Sequence, residues 1–222
     1  MKALLLAVAT AFAFQARAKA QILTLTPSAQ SIDGVTIAKS ATVTVDNQSQ
    51  ALTTVAAGLR KHWIAFFSLN VYVGQLLVND PSVLVKTDSG ILPSTDQVRL
   101  GAIMMTFVRS VSVGQMVTAY RDGLDKNYHS TIDQVLKEPA VVDFFNKVKE
   151  GGDVESGQTV TLLLAREPNG QEVLTYDNGK GYVKPVVGGA GFLHTIYAIW
   201  LGAGGKGVTD LKSQWLKWKP AP

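Results

Sequence analysis

Cysteine is absent from the 222 residues, which removes disulfides and thiolate metal sites at once. Histidine is scarce. His62, His129 and His194 are scattered, and none has a second His or a carboxylate at metal-ligand spacing. No metal or other cofactor is expected. The chain has no G-x-S-x-G elbow, no internal repeat and no low-complexity tract. Past residue 20 it also lacks any apolar run of the ~20 residues that a membrane-spanning helix requires. Two glycine motifs fail on context. Gly202, Gly204 and Gly207 have the spacing G-x-G-x-x-G but follow a helical stretch. A dinucleotide fingerprint follows a strand, so that a helix N-terminus meets the pyrophosphate. Gly205-Lys206 is not a P-loop, because Trp200 occupies the first Gly position and Gly207 replaces the Ser or Thr that would hold magnesium. These glycines are expected to end a helix.

Excess charge is lacking too. The formal balance is +4, but Lys2, Arg17 and Lys19 lie in an amino-terminal segment with the layout of a secretory signal. Without them 18 basic residues face 17 acidic ones, so the net charge gives no electrostatic case for nucleic acid or an anionic membrane surface. The segment has a basic start at Lys2, an apolar run from Ala3 to Phe14, and small residues at Ala18 and Ala20. This predicts a signal peptide over 1–20 and a single exported domain over 21–222, placed in a bacterial periplasm with no stable membrane insertion after cleavage.

What is present reads as strands, then helices, then strands, then helices. The runs "GVTIA", "ATVTVD" and "LTTVAAGLR" within 33–60 alternate Val and Thr as a half-buried sheet would. A long run from Trp63 to Val78 is apolar on both parities, as is 98–110, which predicts strands covered on both faces. Val113, Met116, Val117, Tyr120 and Leu124 form a helical stripe, and a second helical region over 130–149 should restart at Pro139. Asn169-Gly170 and Asn178-Gly179 then separate alternating runs, which predicts tight hairpins and an antiparallel meander. Leu193, Ile196, Tyr197, Trp200 and Leu201 give a third stripe, and Val208, Leu211, Trp215 and Trp218 a fourth. The pattern predicts an α+β fold, a large antiparallel sheet backed by helices on one face.

The segment "AAGLRKHWIAFFSLNVYVGQLL", 56–77, sets a guanidinium at the edge of the most apolar region. Counting by two puts Arg60, Ile64, Phe66, Tyr72 and Leu76 on one parity, and Arg60 shares a face with Tyr72 if the strand is unbroken or turns symmetrically. An arginine fork and a tyrosine hydroxyl on one aromatic-lined face would suit a carboxylate or phenolate at the end of an apolar pocket.

"GLRKHW" with "VYVGQLL" downstream, "MMTFVRSVSVGQMVTAYRDGL", the Asn-Gly meander and "GAGFLHTIYAIWLG" together resemble the chalcone isomerase family, in particular its bacterial exported branch. The resemblance covers most of 50–216 and implies an open-faced sandwich with a ligand cleft between sheet and helices. It identifies Arg60 with the strand arginine that stabilises an enolate oxyanion in the plant enzymes. In fatty-acid-binding members that arginine and a tyrosine hold a carboxylate, and Tyr72 is the matching candidate. The chain departs from the enzymes at several positions. Tyr72 stands where they carry a threonine, Val113 and Tyr120 where they carry tyrosine and asparagine, and Ile199 where they carry a hydroxyl residue. The resemblance therefore implies a ligand-binding, non-catalytic member that takes a small apolar anion, with Arg60, Tyr72, Phe66 and Tyr120 as ligand-binding residues. An intramolecular lyase that uses Arg60 catalytically is the alternative. A structural or protein-binding domain with Arg60 salt-bridged internally is a third reading.

Overall fold

Val- and Thr-rich runs in the first third of the chain fold into the long arms of a meander. The computed structural model describes residues 22–45, 47–64, 66–204 and 206–220, and the segment read as an export signal lies outside them. The strands are β1 (Thr24–Ile32), β2 (Val35–Val45), β3 (Gln48–Ile64), β4 (Phe67–Val78), β5 (Leu100–Phe107), β6 (Thr159–Arg166), β7 (Glu172–Asp177) and β8 (Val183–Gly188). They form one sheet in chain order, each antiparallel to its neighbours. The edges carry Pro27 in β1 and Pro185 in β8, where a missing N–H costs no ladder bond and blunts further pairing.

Six α-helical segments follow among the described residues: α1 (Ile91–Ser94), α2 (Val113–Tyr128), α3 (Ile132–Val135), α4 (Pro139–Gly151), α5 (Phe192–Leu201) and α6 (Lys206–Lys217). Ser112 opens α2 with a capping box. Its side chain accepts from the Gln115 N–H, and the Gln115 side chain accepts from the Ser112 N–H. Pro139 starts α4, and Gly152, at φ 74°, ends it.

The helices pack on one face. Leu76, Ile103, Met105, Leu162 and Leu174 of the sheet meet Tyr120, Leu124, Phe144, Ile196 and Trp200. Each such side chain, fully buried, contributes ~1.5–3 kcal/mol. The opposite face also has a core, of Leu52, Leu77, Ala102 and Met104 with Leu23, Ala41 and Val43. Here the sheet covers itself. β2 leaves β3 before Ser40, and the freed Ala38 N–H donates to Oε1 of the buried Gln75 of β4 at 2.8 Å. The backbone N–H of Ile22 reaches Asp177 Oδ2, at the end of β7, at 3.3 Å. That curl is why 63–78 and 98–110 read as apolar on both parities.

Two expectations need correction, and one strand was not expected. The run 63–78 is not one strand, because β3 ends at Ile64 and β4 starts at Phe67. The Asn-Gly connections do join consecutive strands, but as five-residue loops rather than two-residue turns. Of each Asn-Gly pair the glycine alone is left-handed, Gly170 at φ 85° and Gly179 at φ 70°, while Asn169 and Asn178 accept backbone N–H groups through their side chains. β1 was invisible to alternation, since Pro27 and register shifts break its pairing.

Candidate functional site

The β3–β4 hairpin places Arg60 by a register device. From the tip, Ile64 pairs with Phe67 and Lys61 with Asn70, so a regular ladder would set Arg60 opposite Val71. A bulge between Arg60 and Lys61 leaves Val71 over and sets Arg60 opposite Tyr72. Directly opposed residues of an antiparallel pair share a face. Arg60 and Tyr72 therefore point together to the helix-covered side. The Val71 carbonyl is not wasted, since it accepts from Val108 N–H at 3.0 Å.

On that side, between the hairpin, the end of β5 and α2, lies a cavity of about 950 Å³, within the range of small-molecule sites. Val71, Phe107, Met116, Ile199 and Trp200 supply apolar wall, while Arg109, Gln115, Thr118, Asp122, Asp125 and Lys126 bring polar groups. Its closed end is aromatic. Tyr72 packs on Phe107 at 5.3 Å between ring centroids, and Tyr120 lies edge-on to Trp200 at 5.2 Å.

The hydrogen bonds at that end leave one donor free. Trp200 Nε1 donates to the Tyr72 hydroxyl at 2.9 Å, and the Arg60 guanidinium lies close enough for its charge to act on the same hydroxyl. With a donor already aimed at its oxygen, the hydroxyl's own proton has no acceptor among the described residues. Burial raises the Tyr72 pKa above the usual tyrosine value, only partly offset by the Arg60 charge and by the hydrogen bond from Trp200. Tyr72 therefore stays protonated at neutral pH. Tyr120 is likewise pushed well up by burial, and donates its O–H to Met105 Sδ at 3.5 Å.

Arg60 itself is half-buried and has no carboxylate partner among the described residues. Its Nη1 donates to the Lys61 carbonyl. Gly207 of α6 lies against it, where a side chain would overlap the guanidinium and that carbonyl. Gly58 and Gly74, paired across the same hairpin, give α6 a flat seat, since a Cβ at either would come within 3.0 Å of Gln214 or Trp215. A half-buried cation beside a phenolic donor, facing an apolar-walled cavity, can receive an anionic oxygen on an apolar body. Among the described residues no group of three His, Asp or Glu is placed to hold a metal ion.

Of the residues expected to meet ligand, Arg60, Tyr72 and Tyr120 line this cavity together. Phe66 does not. It sits fully exposed in the connection between β3 and β4, because the chain turns there and parity counting does not carry across the turn. Ile199 is in the wall and offers no donor, and Val113 is not in the lining. Sequence reasoning missed Trp200 as the partner of Tyr72. Its helical stripe marked it as inward-facing, and only the packing of α5 shows which hydroxyl it meets. The contact of Gly207 with Arg60 had no local signal, and the residue was read as a helix end.

The sequence model of the chalcone isomerase-like family matches residues 29–216. The chain belongs to that family. Among solved structures, this chalcone isomerase-like chain is similar to a fatty-acid binding protein of Arabidopsis thaliana, with a TM-score of 0.50. The identity is 13%, and the match covers 79% of this chain and 95% of that one. At that identity the likeness establishes the fold, an eight-stranded open antiparallel sheet with helices on one face. No curated protein matches the chain. No helix among the described residues is long and apolar enough to cross a membrane.

Proposed function

We propose that this chalcone isomerase-like protein binds a small apolar anion, a fatty acid or aromatic acid, with Arg60 and Tyr72 at its head and Phe107, Met116 and Tyr120 along its body. In this reading it is exported from the cell through its first 20 residues, works in a bacterial periplasm and catalyses no reaction. One observation carries the reading: a half-buried guanidinium without a carboxylate partner among the described residues stands beside a protonated tyrosine whose O–H is free to donate. A carboxylate would accept from both, replacing hydrogen bonds that water otherwise supplies. The solved relative's description as a fatty-acid binding protein supports the same ligand class. An internally salt-bridged Arg60 is disfavoured by the lack of any such pair among the described residues.

Catalysis of chalcone cyclisation would need several donors at a developing oxyanion, and each missing one costs ~10²–10³ in rate. Arg60 and Tyr72 would supply two, but Ile199 supplies none, Val113 lies outside the lining, and the Trp200 N–H is already given to Tyr72. The purified protein should therefore leave the absorbance decay of a hydroxychalcone at the buffer rate. Stereoselective flavanone formation that disappears in Arg60→Ala would establish an isomerase instead. For the binding reading, native mass spectrometry of protein from its own source should show a co-purified acid, absent from Arg60→Ala. Protein that is free of ligand, and takes up no added fatty or aromatic acid, would refute it.

A further inference from the structure

The most exposed aromatic side chains gather at a place the cavity does not use. Phe66 is 101% exposed, Phe67 56% and Trp63 37%, all at the tip of the β3–β4 hairpin. The other large apolar side chains exposed to this degree, Leu25, Val85, Val142 and Val187, are aliphatic and sit on separate parts of the fold. Phe66 is too exposed to contribute to packing, so the fold does not explain it. The surrounding charge is one-sided along the chain. Between Asn47 and Asn79 there is no Asp or Glu, while Arg60, Lys61 and His62 stand just behind the aromatics. Two carboxylates that other elements bring near keep their charge and are tied to hairpin side chains. Asp210 accepts from Trp63 Nε1 and Asp33 from Asn70 Nδ2, both at 3.0 Å.

We propose that this tip docks on a lipid bilayer containing anionic lipid, Phe66 and Phe67 entering the interface while Lys61 meets the headgroups. The shape favours a bilayer over a protein. Phe66 stands fully exposed at the end of paired strands, and a fluid interface admits such a ring where a protein would need a matching socket. Trp63, half out of the surface with its N–H satisfied, has the amphipathic character of residues at the headgroup level. The same hairpin contributes His62 and Leu69 to the cavity lining, so docking brings the cavity towards the source of an apolar anion. That last link rests on the ligand-binding reading, but docking itself does not.

The test is flotation of the purified protein with vesicles of phosphatidylcholine, with and without phosphatidylglycerol. The expected result is binding to the anionic vesicles that weakens as salt is raised. Combining Phe66→Ser and Phe67→Ser should lower partitioning about tenfold or more, from the loss of two inserted rings. The same variant should keep its far-UV spectrum and its uptake of fatty acid from solution, since neither residue lines the cavity. Absence of binding at low salt, or binding unchanged in the double variant, would overturn the proposal. A concentration-dependent dimer abolished by the double variant would also overturn it, by assigning the tip to a second copy of the chain. A failed fatty-acid titration with intact vesicle binding would instead count against the cavity reading alone.

Discussion

Arg60 is held between the Lys61 carbonyl and the α6 residue Gly207, opposite Tyr72 across the hairpin. None of these neutralises its charge, so the fold spends little on keeping it and a ligand would gain most from it. Gly207 makes the clearest test at this scale. A methyl group there cannot coexist with the guanidinium in its present place. Gly207→Ala should therefore weaken fatty-acid binding by ~1.5–3 kcal/mol, the value of a charge-assisted hydrogen bond. In titration calorimetry the Arg60→Ala and Gly207→Ala losses should fail to add, because both remove the same contact. Additive losses would show that Gly207 acts elsewhere.

At the scale of elements, the site depends on where α5 docks, because that helix carries Trp200 and Ile199. Gly191, at φ 92°, provides no side-chain cap for α5. The buried Glu172 of β7 substitutes for one, accepting from Leu193 N–H at 2.7 Å while pairing with Arg166 Nε at 2.9 Å. Arg166 in turn donates to the Thr95 and Val98 carbonyls. Glu172→Ala strands the buried Leu193 N–H and leaves Arg166 with the more distant Asp96, at 3.7 Å, so it should cost ~1–3 kcal/mol in urea unfolding. A loss under 1 kcal/mol would mean that the pair is dispensable. This anchor was not legible in the sequence, since its partners lie 6 to 71 residues apart and only the meander brings them together. Local signals were legible. Pro139 started a helix, Gly202 ended one, and the stripe through Met116, Tyr120 and Leu124 faced the core. The joint orientation of Arg60 and Tyr72 was read correctly, though by a route the structure replaces. A hairpin turn and a bulge, neither of which parity shows, bring them to one face.

Across the whole molecule, the core holds tyrosines that must stay neutral. Burial raises the pKa of Tyr72, Tyr120, Tyr176 and Tyr197 above the usual value of 10.0. Because the folded values are the higher ones, their stabilising contribution is complete below pH 10. It is lost as pH rises from there towards the folded values, where the unfolded chain releases protons that the folded chain retains. Each such tyrosine steepens the loss by about 1.4 kcal/mol per pH unit. Urea midpoints measured from pH 9 to 11.5 should fall steeply, and Tyr120→Phe should remove one tyrosine's share of the slope. A flat profile would show that the phenols ionise freely in the folded state. The same neutral Tyr72 and the Arg60 beside it underlie the central claim, that the cavity takes the anionic end of an apolar molecule. The most direct measurement is a calorimetric titration of the protein and of Arg60→Ala with one long-chain fatty acid and its methyl ester. The protein should prefer the acid to the ester, and Arg60→Ala should lose ~1.5–3 kcal/mol for the acid and little for the ester. Equal affinity for acid and ester, unaffected by the substitution, would contradict it.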